Sequence, residues 1–545
     1  MKNAMNKKTK FTAKFYTVRK QLLGFLTLVL LTSCASINTY NQKITAMHSP
    51  EDLQKDVDVA YRKLQKLHPR LYNYISKTQL DAKFDSLKRA IDKPMNSRDF
   101  YKQLSVVASE VRQGHLGVRP PSLRYTKKER KQKYKLKTEF KDLNFEFLDE
   151  SLWVKSTQGP DSSVVGSQVL TINNESVNDV LKTVKTRFSS DGYNTTFHDR
   201  KAALGFLGLY QYENGKADSL VFNFKKNDSV FTKTYRTISK DSLRKKKAPK
   251  DTVKTKEPKK LSKEEKKIAK AKRKQKLKDN SRYGYEPSKK HYIRNFDFIG
   301  KDSSVAFMKI RGFRFGNYKD FYEEVFTKID SAKTQNLIID LRDNGGGRLA
   351  EIDDLYGYLA NEEYQFIKEG ETNTWMPVTK SFMSQRASVV GSFFKGLVAP
   401  IILTTDIIKV HRKDGKRYYK FKASKPKSPK DLNYKGEIYV LINGFSFSAS
   451  SILSNKLQAT NRAVFVGEQT GGAYNSTVAG QTQYVTLPNS KVKLFFGLLT
   501  LETPHRADVD GYGVKPDVEI VPSQDDRVNA IDPELEWVLR EIDSK

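Results

Sequence analysis

Between residues 50 and 67, in PEDLQKDVDVAYRKLQKL, the apolar residues Leu53, Val57, Tyr61 and Leu64 recur at helical spacing. Ser49 stands as N-cap, Pro50 at the first helical position and Asp52 in the first turn, so the stretch predicts an amphipathic helix with a defined start. It opens a helical subdomain that continues through RDFYKQLSVVASEV and ends at RQGHLGVRPP, where glycines flank His115. The pattern then turns mostly β with short helices. Within it, SSVVGSQVLTINNESVNDVLKTV combines a strand-like run, a polar turn at Asn173 and Asn174, and a short helix with Val177, Val180, Leu181 and Val184 inward.

From about residue 290 strands and helices alternate. SSVAFMKI, NLIIDLR, PIILTT, EIYVLIN and AVFVGE are apolar, mostly β-branched runs, separated by helix-like stretches such as YKDFYEEVFTKIDSA and GRLAEIDDLYGYLA. Continuous hydrophobicity implies strands buried on both faces, hence a layered α/β core whose chemistry gathers at strand ends. The expected organisation is a signal segment at 1–33, a tether at 34–48, a helical subdomain at 49–125 and a β-rich region at 135–243. A Lys-rich insertion at 244–280 and a core domain at 290–545 complete it.

Charge and cysteine usage refine this division. The first twenty residues carry seven Lys or Arg and no acid, and lead into QLLGFLTLVLL, a secretory n-region and h-region too short to span a bilayer stably. The segment ends LTSC, and Cys34 is the only cysteine of the chain. An exported protein with one cysteine forms no internal disulfide, whereas a lipid anchor gives that cysteine a use. The pattern resembles the bacterial lipoprotein signal and implies lipidation at Cys34, with the mature chain on a membrane face outside the cytoplasm, periplasmic or at the outer membrane. Of the net charge of +36, the first twenty residues hold +7 and residues 244–279 hold +13, which leaves +16 for the rest. Residues 244–279 contain no aromatic residue, which argues against specific nucleic-acid binding and for a solvated insertion, partly helical or disordered. Attraction to an anionic surface such as membrane phosphates is the functional alternative.

Candidate chemistry lies at two strand ends of the core domain. INGFSFSASSILSNKL follows the apolar run GEIYVLIN and places serines at a strand-to-helix elbow, where a serine is either a helix cap or an exposed nucleophile beside helix-start amides. NLIIDLRDNGGGRLAEIDDL ends a second strand in three glycines, whose backbone can approach a reacting group closely. The glycine loop lacks the lysine and spacing of a phosphate-binding loop. No HExxH, paired cysteines or clustered acids occur at ligand spacing, so no metal or cofactor is expected.

IIDLRDNGGG, NGFSFSASSIL, VFVGEQTGG and GYGVKPDVEI stand in the order found in the carboxy-terminal processing and tricorn-like serine peptidases, which the chain resembles over roughly residues 290–522. QGHLGV extends the likeness toward residue 100, and the stretch around Asn173 is similar to the latter half of a PDZ-type module. The resemblance implies a crotonase-like layered α/β peptidase core with an N-terminal helical subdomain and a PDZ-like β-rich module. It implies Ser448 as nucleophile, with Ala449 and Gly346 as oxyanion donors and Gly345 close behind. Aligning GEQTGGAY with the motif that supplies lysine in the Ser/Lys branch puts Ala473 at the lysine position, so the base falls to His115 and the acid that steers it to Asp510. His68 and His505 are the runners-up as base. Asp517, Asp340 and Asp343 read as structural. The implied activity is that of a membrane-anchored serine endopeptidase acting on polypeptides. A ligand-binding protein on the same fold is the alternative, and oligomeric state is open.

Overall fold

The computed structural model describes residues 37–242, 262–300 and 303–545. The signal segment and Cys34 lie outside the described residues, as do residues 243–261.

Helix α1 (Pro50–Leu67) starts as expected, with the Asp52 amide donating to the Ser49 hydroxyl. With α2 (Lys77–Ala90) and α3 (Ser97–Ser109) it buries Leu53, Val57, Leu64, Phe84, Phe100 and Leu104 in one cluster. Leu494, Phe496 and Leu498 of a distant strand, β15 (Lys493–Leu501), close that cluster. The helical subdomain is therefore welded to the core domain. After α3 the chain enters β1 (Gly117–Arg119), which adds to β15 with Gly117 opposite Phe495.

The β-rich region contains β2 (Leu143–Leu148), β3 (Ser151–Thr157), β4 (Gln168–Ile172), β5 (Ser219–Lys226) and β6 (Ser229–Ser239). They form an antiparallel sheet in the order Leu136–Thr138, β6, β5, β4, β3, β2. Asn173 and Asn174 both take positive φ in the turn after β4. Helix α4 (Val177–Lys185) follows and buries Val177, Val180, Leu181 and Val184, each side chain worth about 1.5–3 kcal/mol when removed from water. Helix α5 (Thr196–Leu204) packs beside α4, and α6 (Lys263–Tyr283) carries the second half of the Lys-rich segment with no buried residue.

The core domain is layered as its continuous apolar runs predict. Its sheet runs β7 (Arg294–Ile299), β8 (Val305–Ile310), β9 (Asn336–Asp340), β12 (Glu437–Ile442), β13 (Val464–Gly467), β16 (Val518–Glu519), with only the first pair antiparallel. On one face lie α7 (Tyr318–Ala332), α8 (Leu349–Gly357) and α11 (Ala449–Ala459), burying Phe321, Val325, Leu355, Leu453 and Leu457. Val538 and Trp537 of α12 (Pro533–Asp543) cover Ile338, Tyr439 and Leu441 on the other. Because β9 and β12 are parallel neighbours, with Asp340 opposite Leu441, the loops that follow them emerge side by side.

One expected strand is a helix. PIILTT, at 400–405, belongs to α10 (Val389–Lys409), which packs on α9 (Pro377–Ser384) and leads into the hairpin β10 (Val410–Lys413) and β11 (Lys416–Tyr419). Apolarity marks a buried strand only where the core covers both of its faces. Here Ile401 is 68% exposed, and the run continues a longer apolar stretch with helical period.

Candidate active site

Strand β12 delivers the chain into Asn443–Ser448 and then α11. Ser448 has φ 58° and ψ −117°, a conformation sparsely populated by residues with a side chain and tolerated only where the surroundings enforce it. The enforcement is visible. Ser446 Oγ donates to Leu341 O at 2.8 Å, the Phe447 amide donates to Asn344 O at 3.0 Å, and Ser450 Oγ donates to Asn344 O at 2.9 Å. Ser446 and Ser450 thus tie the elbow to the glycine loop, while the Ser448 side chain makes no helix-cap hydrogen bond. The choice between cap and nucleophile left open by the sequence turns on this difference.

Facing the elbow is the loop after β9. Gly346 has φ +92°, and a Cβ there would lie 2.7 Å from Phe447 O and from Ser448 Cβ, so both its conformation and its closeness require glycine. Its amide donates to Asn344 Oδ1 at 2.9 Å. Among the described residues the amides of Gly345 and Ala449 have no acceptor, whereas Gly346, expected as a donor, brings the wall close and has its N–H on Asn344.

His115 arrives from the turn before β1, carried in by the pairing of β1 with β15. Its Nε2 lies 3.0 Å from Ser448 Oγ, although 333 residues separate the two in sequence. The ring stacks on Phe447 at a centroid distance of 4.9 Å, and Gly114, where a Cβ would meet the Phe447 ring at 2.6 Å, allows that approach. Burial, and next the charge of Lys201, lower the His115 pKa to about 4, so the imidazole is neutral at physiological pH.

The other ring nitrogen is not held by Asp510. His115 Nδ1 lies 3.1 Å from Thr477 Oγ1, the first residue of β14 (Thr477–Thr486) and 3% exposed. Beside the Thr477 hydroxyl is the carboxylate of Asp191. Its Oδ1 accepts the Gly114 amide at 2.8 Å, and the amide of Ala473, the residue at the family's lysine position, faces the same carboxylate. Burial pushes Asp191 up to about 6 against these hydrogen bonds. Asp510 instead contacts Tyr74 OH and Asn73 Nδ2, both at 3.3 Å, and the amide of Gly511. The segment from Ser189 to Asn194 fills the space between them: the Gly192 amide donates to Arg112 O and the Tyr193 amide to Gly511 O. Asp191 and Thr477 carry no sequence signal beyond the Asp-Gly turn at 191–192.

Lys201 on α5 is also packed here. Burial lowers its pKa to about 8, and its Nζ lies over the faces of Phe188 and Phe197, at 4.2 and 4.8 Å. Phe197 in turn stacks on Phe447 and Phe445.

The remaining residues singled out in the sequence lie elsewhere. His68 is buried against Phe496 with no hydrogen-bond partner for either ring nitrogen among the described residues, and His505 Nε2 faces Lys456 Nζ at 3.1 Å. Asp517 accepts the Phe465 amide, and Asp340 pairs with Arg342 and Lys309 under the glycine loop. Asp343 accepts from Asn443 Nδ2, which links the two loops. Among the described residues no group of three or more His, Cys, Asp or Glu side chains is placed to hold a metal ion.

Comparison with known proteins agrees with this architecture. Residues 304–520 match the model of peptidase family S41. The chain is 27% identical over 172 residues to the tail-specific protease of Haemophilus influenzae, an alignment covering 31% of this chain and 17% of that protein. Among solved structures, mature CPAF complexed with lactacystin superposes with a TM-score of 0.59 at 15% identity, covering 91% of this chain and 99% of that one. Mature CPAF alone gives 0.55 at the same 15% identity, over 88% and 94%. At this identity the CPAF likeness speaks to the fold, and the family match speaks to the segment that carries both active-site loops. Over residues 304–520 the chain is similar to peptidase family S41, and it spans only 17% of the length of the tail-specific protease it matches.

Proposed function

We propose that this protein is a serine endopeptidase that hydrolyses exported polypeptides. The observation that carries the reading is the 3.0 Å contact between His115 Nε2 and the Oγ of a strained, uncapped Ser448. Ser448 Oγ attacks the scissile carbonyl carbon while its proton passes to His115 Nε2. The oxyanion that forms accepts from the amides of Ala449 and Gly345. The C–N bond then breaks, His115 returns the proton to the leaving amine, and a water activated by the same imidazole hydrolyses the acyl-enzyme.

The acid of this arrangement is Asp191, acting through Thr477. With Nδ1–H donating to Thr477 Oγ1 and the threonine hydroxyl beside the Asp191 carboxylate, whose Oδ2 has no other partner among the described residues, the free lone pair of His115 is on Nε2, where Ser448 needs it. The β-rich region with its α4 wall serves as a PDZ-like module that presents an extended chain to the cleft. Cys34 carries a lipid that holds the protein at a membrane face outside the cytoplasm.

Incubating the purified chain with a panel of unfolded polypeptides, with Ser448→Ala as control, tests the reading. Cleavage by the parent and none by the variant is the expected result. Equal inertness of both across the panel would return the fold to the ligand-binding alternative.

A further inference from the structure

Helix α10 presents its outward face to no other described part of the protein. Val390, Phe393, Phe394, Leu397, Val398, Ile401, Ile407 and Ile408 are exposed, several by more than half of their surface. No charged side chain interrupts them, and the stripe runs about 27 Å at 1.5 Å per residue. The inward side is fastened to α9. Lys395 Nζ donates to Phe382 O and Gln385 O, while Asp406 accepts the amides of Val378 and Thr379, both at 2.9 Å. Although long and apolar enough to cross a membrane, the helix is clamped along its length and runs directly into β10, so it lies flat on the domain.

The surroundings indicate what covers it. Residues 377–425 carry eleven Lys or Arg against two acids, and one of those acids is the buried Asp406. Across the hairpin that follows, Arg412 stands opposite Arg417 and Lys413 opposite Lys416, like charges in directly paired positions. Among the described residues only Lys416 of these four has a carboxylate partner, Glu371 at 3.4 Å. Beyond the other end of the helix, Arg386, Arg119 and Arg124 all lie near Lys493. Trp375 is exposed beside Arg417, whose guanidinium carbon is 5.2 Å from its ring, and Met376 and Met383 are exposed nearby. A broad apolar face, an exposed tryptophan and basic flanks are the requirements of an interfacial helix on anionic lipid. A second copy of the chain fits poorly, because a twofold contact through this face would bring like-charged flanks together.

We propose that α10 is an interfacial membrane-binding helix that lays its apolar face into the surface of an anionic bilayer, independently of any lipid on Cys34. The contact would fix the orientation of the cleft, since α9 is tied to β14, the strand that begins at Thr477: the Thr482 and Tyr484 amides donate to Ser381 and Ser384 Oγ.

The test uses the chain from Ile37 onward, which keeps every described element and lacks both the signal segment and Cys34. It is sedimented with vesicles of phosphatidylcholine alone or mixed with phosphatidylglycerol. The parent should bind the mixed vesicles. Phe394→Glu with Leu397→Glu should weaken binding by about tenfold or more, the effect of losing a single buried apolar side chain being already of that order. Arg412→Gln with Arg417→Gln should weaken it on phosphatidylglycerol vesicles selectively, and raised salt should mimic that change. Phe394, Leu397 and Arg412 are exposed and Arg417 is half-buried against Trp375, so the circular dichroism spectrum should be unchanged. Failure of the parent to bind, or equal binding by the parent and the Glu variant, overturns the proposal. So does a dimer in sedimentation equilibrium that the Glu variant converts to monomer while vesicles are ignored, because the face would then belong to a second copy.

Discussion

Replacing Thr477 by Val keeps the side-chain shape and removes one hydroxyl. Thr477 is 3% exposed and its Oγ1 is 3.1 Å from His115 Nδ1, so the valine leaves the Nδ1–H without a partner and Asp191 without one of the groups that hold it ionised. An unsatisfied buried donor costs about 1–3 kcal/mol. If that cost falls on the imidazolium-forming step, kcat/KM drops roughly 5- to 150-fold, mostly in kcat, because Thr477 acts through His115. Initial rates on a dye-labelled unfolded protein, across several substrate concentrations, measure the effect. Thr477→Ser keeps the hydroxyl and should recover most of the rate. Asp510→Asn, at the acid position expected from the family, should change the rate by less than about twofold, since this half-buried carboxylate holds Tyr74, Asn73 and the Gly511 amide and makes no contact with His115. A larger loss for Asp510→Asn than for Thr477→Val would refute the assignment of Thr477 and Asp191.

The pH profile carries a second test. Asp191, pushed up to about 6, loses its charge as pH falls through that value, while His115, lowered to about 4, is still neutral there, so the acid limb should lie near 6. Asp191→Asn should be slower and keep its remaining activity down to about pH 4. Lys201→Met removes a charge that lowers both groups, and should move the limb upward. Gly346→Ala forces a Cβ into Phe447 O and Ser448 Cβ at positive φ, and should abolish turnover and lower the thermal midpoint by the equivalent of about 1–3 kcal/mol of strain. Arg342→Met strips the buried carboxylates of Asp340 and Glu534 of their shared partner and should cost about 3–5 kcal/mol in chemical denaturation.

Much of this was legible in the sequence, and the exceptions have physical causes. Amphipathic spacing located α1 and α4 because each helix buries one stripe on one cluster. Continuous apolar runs located β8, β9, β12 and β13 because helices cover both faces of their sheet. Ser448 was legible because elbow and glycine loop are contiguous motifs on adjacent parallel strands. His115 was legible only through the family motif, since its approach depends on β1 joining β15 more than 370 residues later in the chain. That Asp510 does not reach His115 was hidden for the same reason: the partner of an imidazole is set by which loops pack between elements, and a sequence motif does not report that the segment around Asp191 and Gly192 fills the space in front of Asp510. PIILTT was misread because apolarity was taken for burial. On α10 the two part company, and the exposed run is the feature that suggests a membrane contact.

An active-site label reports whether His115 activates Ser448. The chain is treated with a serine-directed fluorophosphonate and digested, and the adduct is located and timed by mass spectrometry. One adduct is expected, on Ser448, absent in Ser448→Ala and formed at least about 100-fold more slowly in His115→Ala, in line with general-base contributions of about 10²–10⁴. An unlabelled Ser448, or labelling that His115→Ala leaves unchanged in rate, would contradict it.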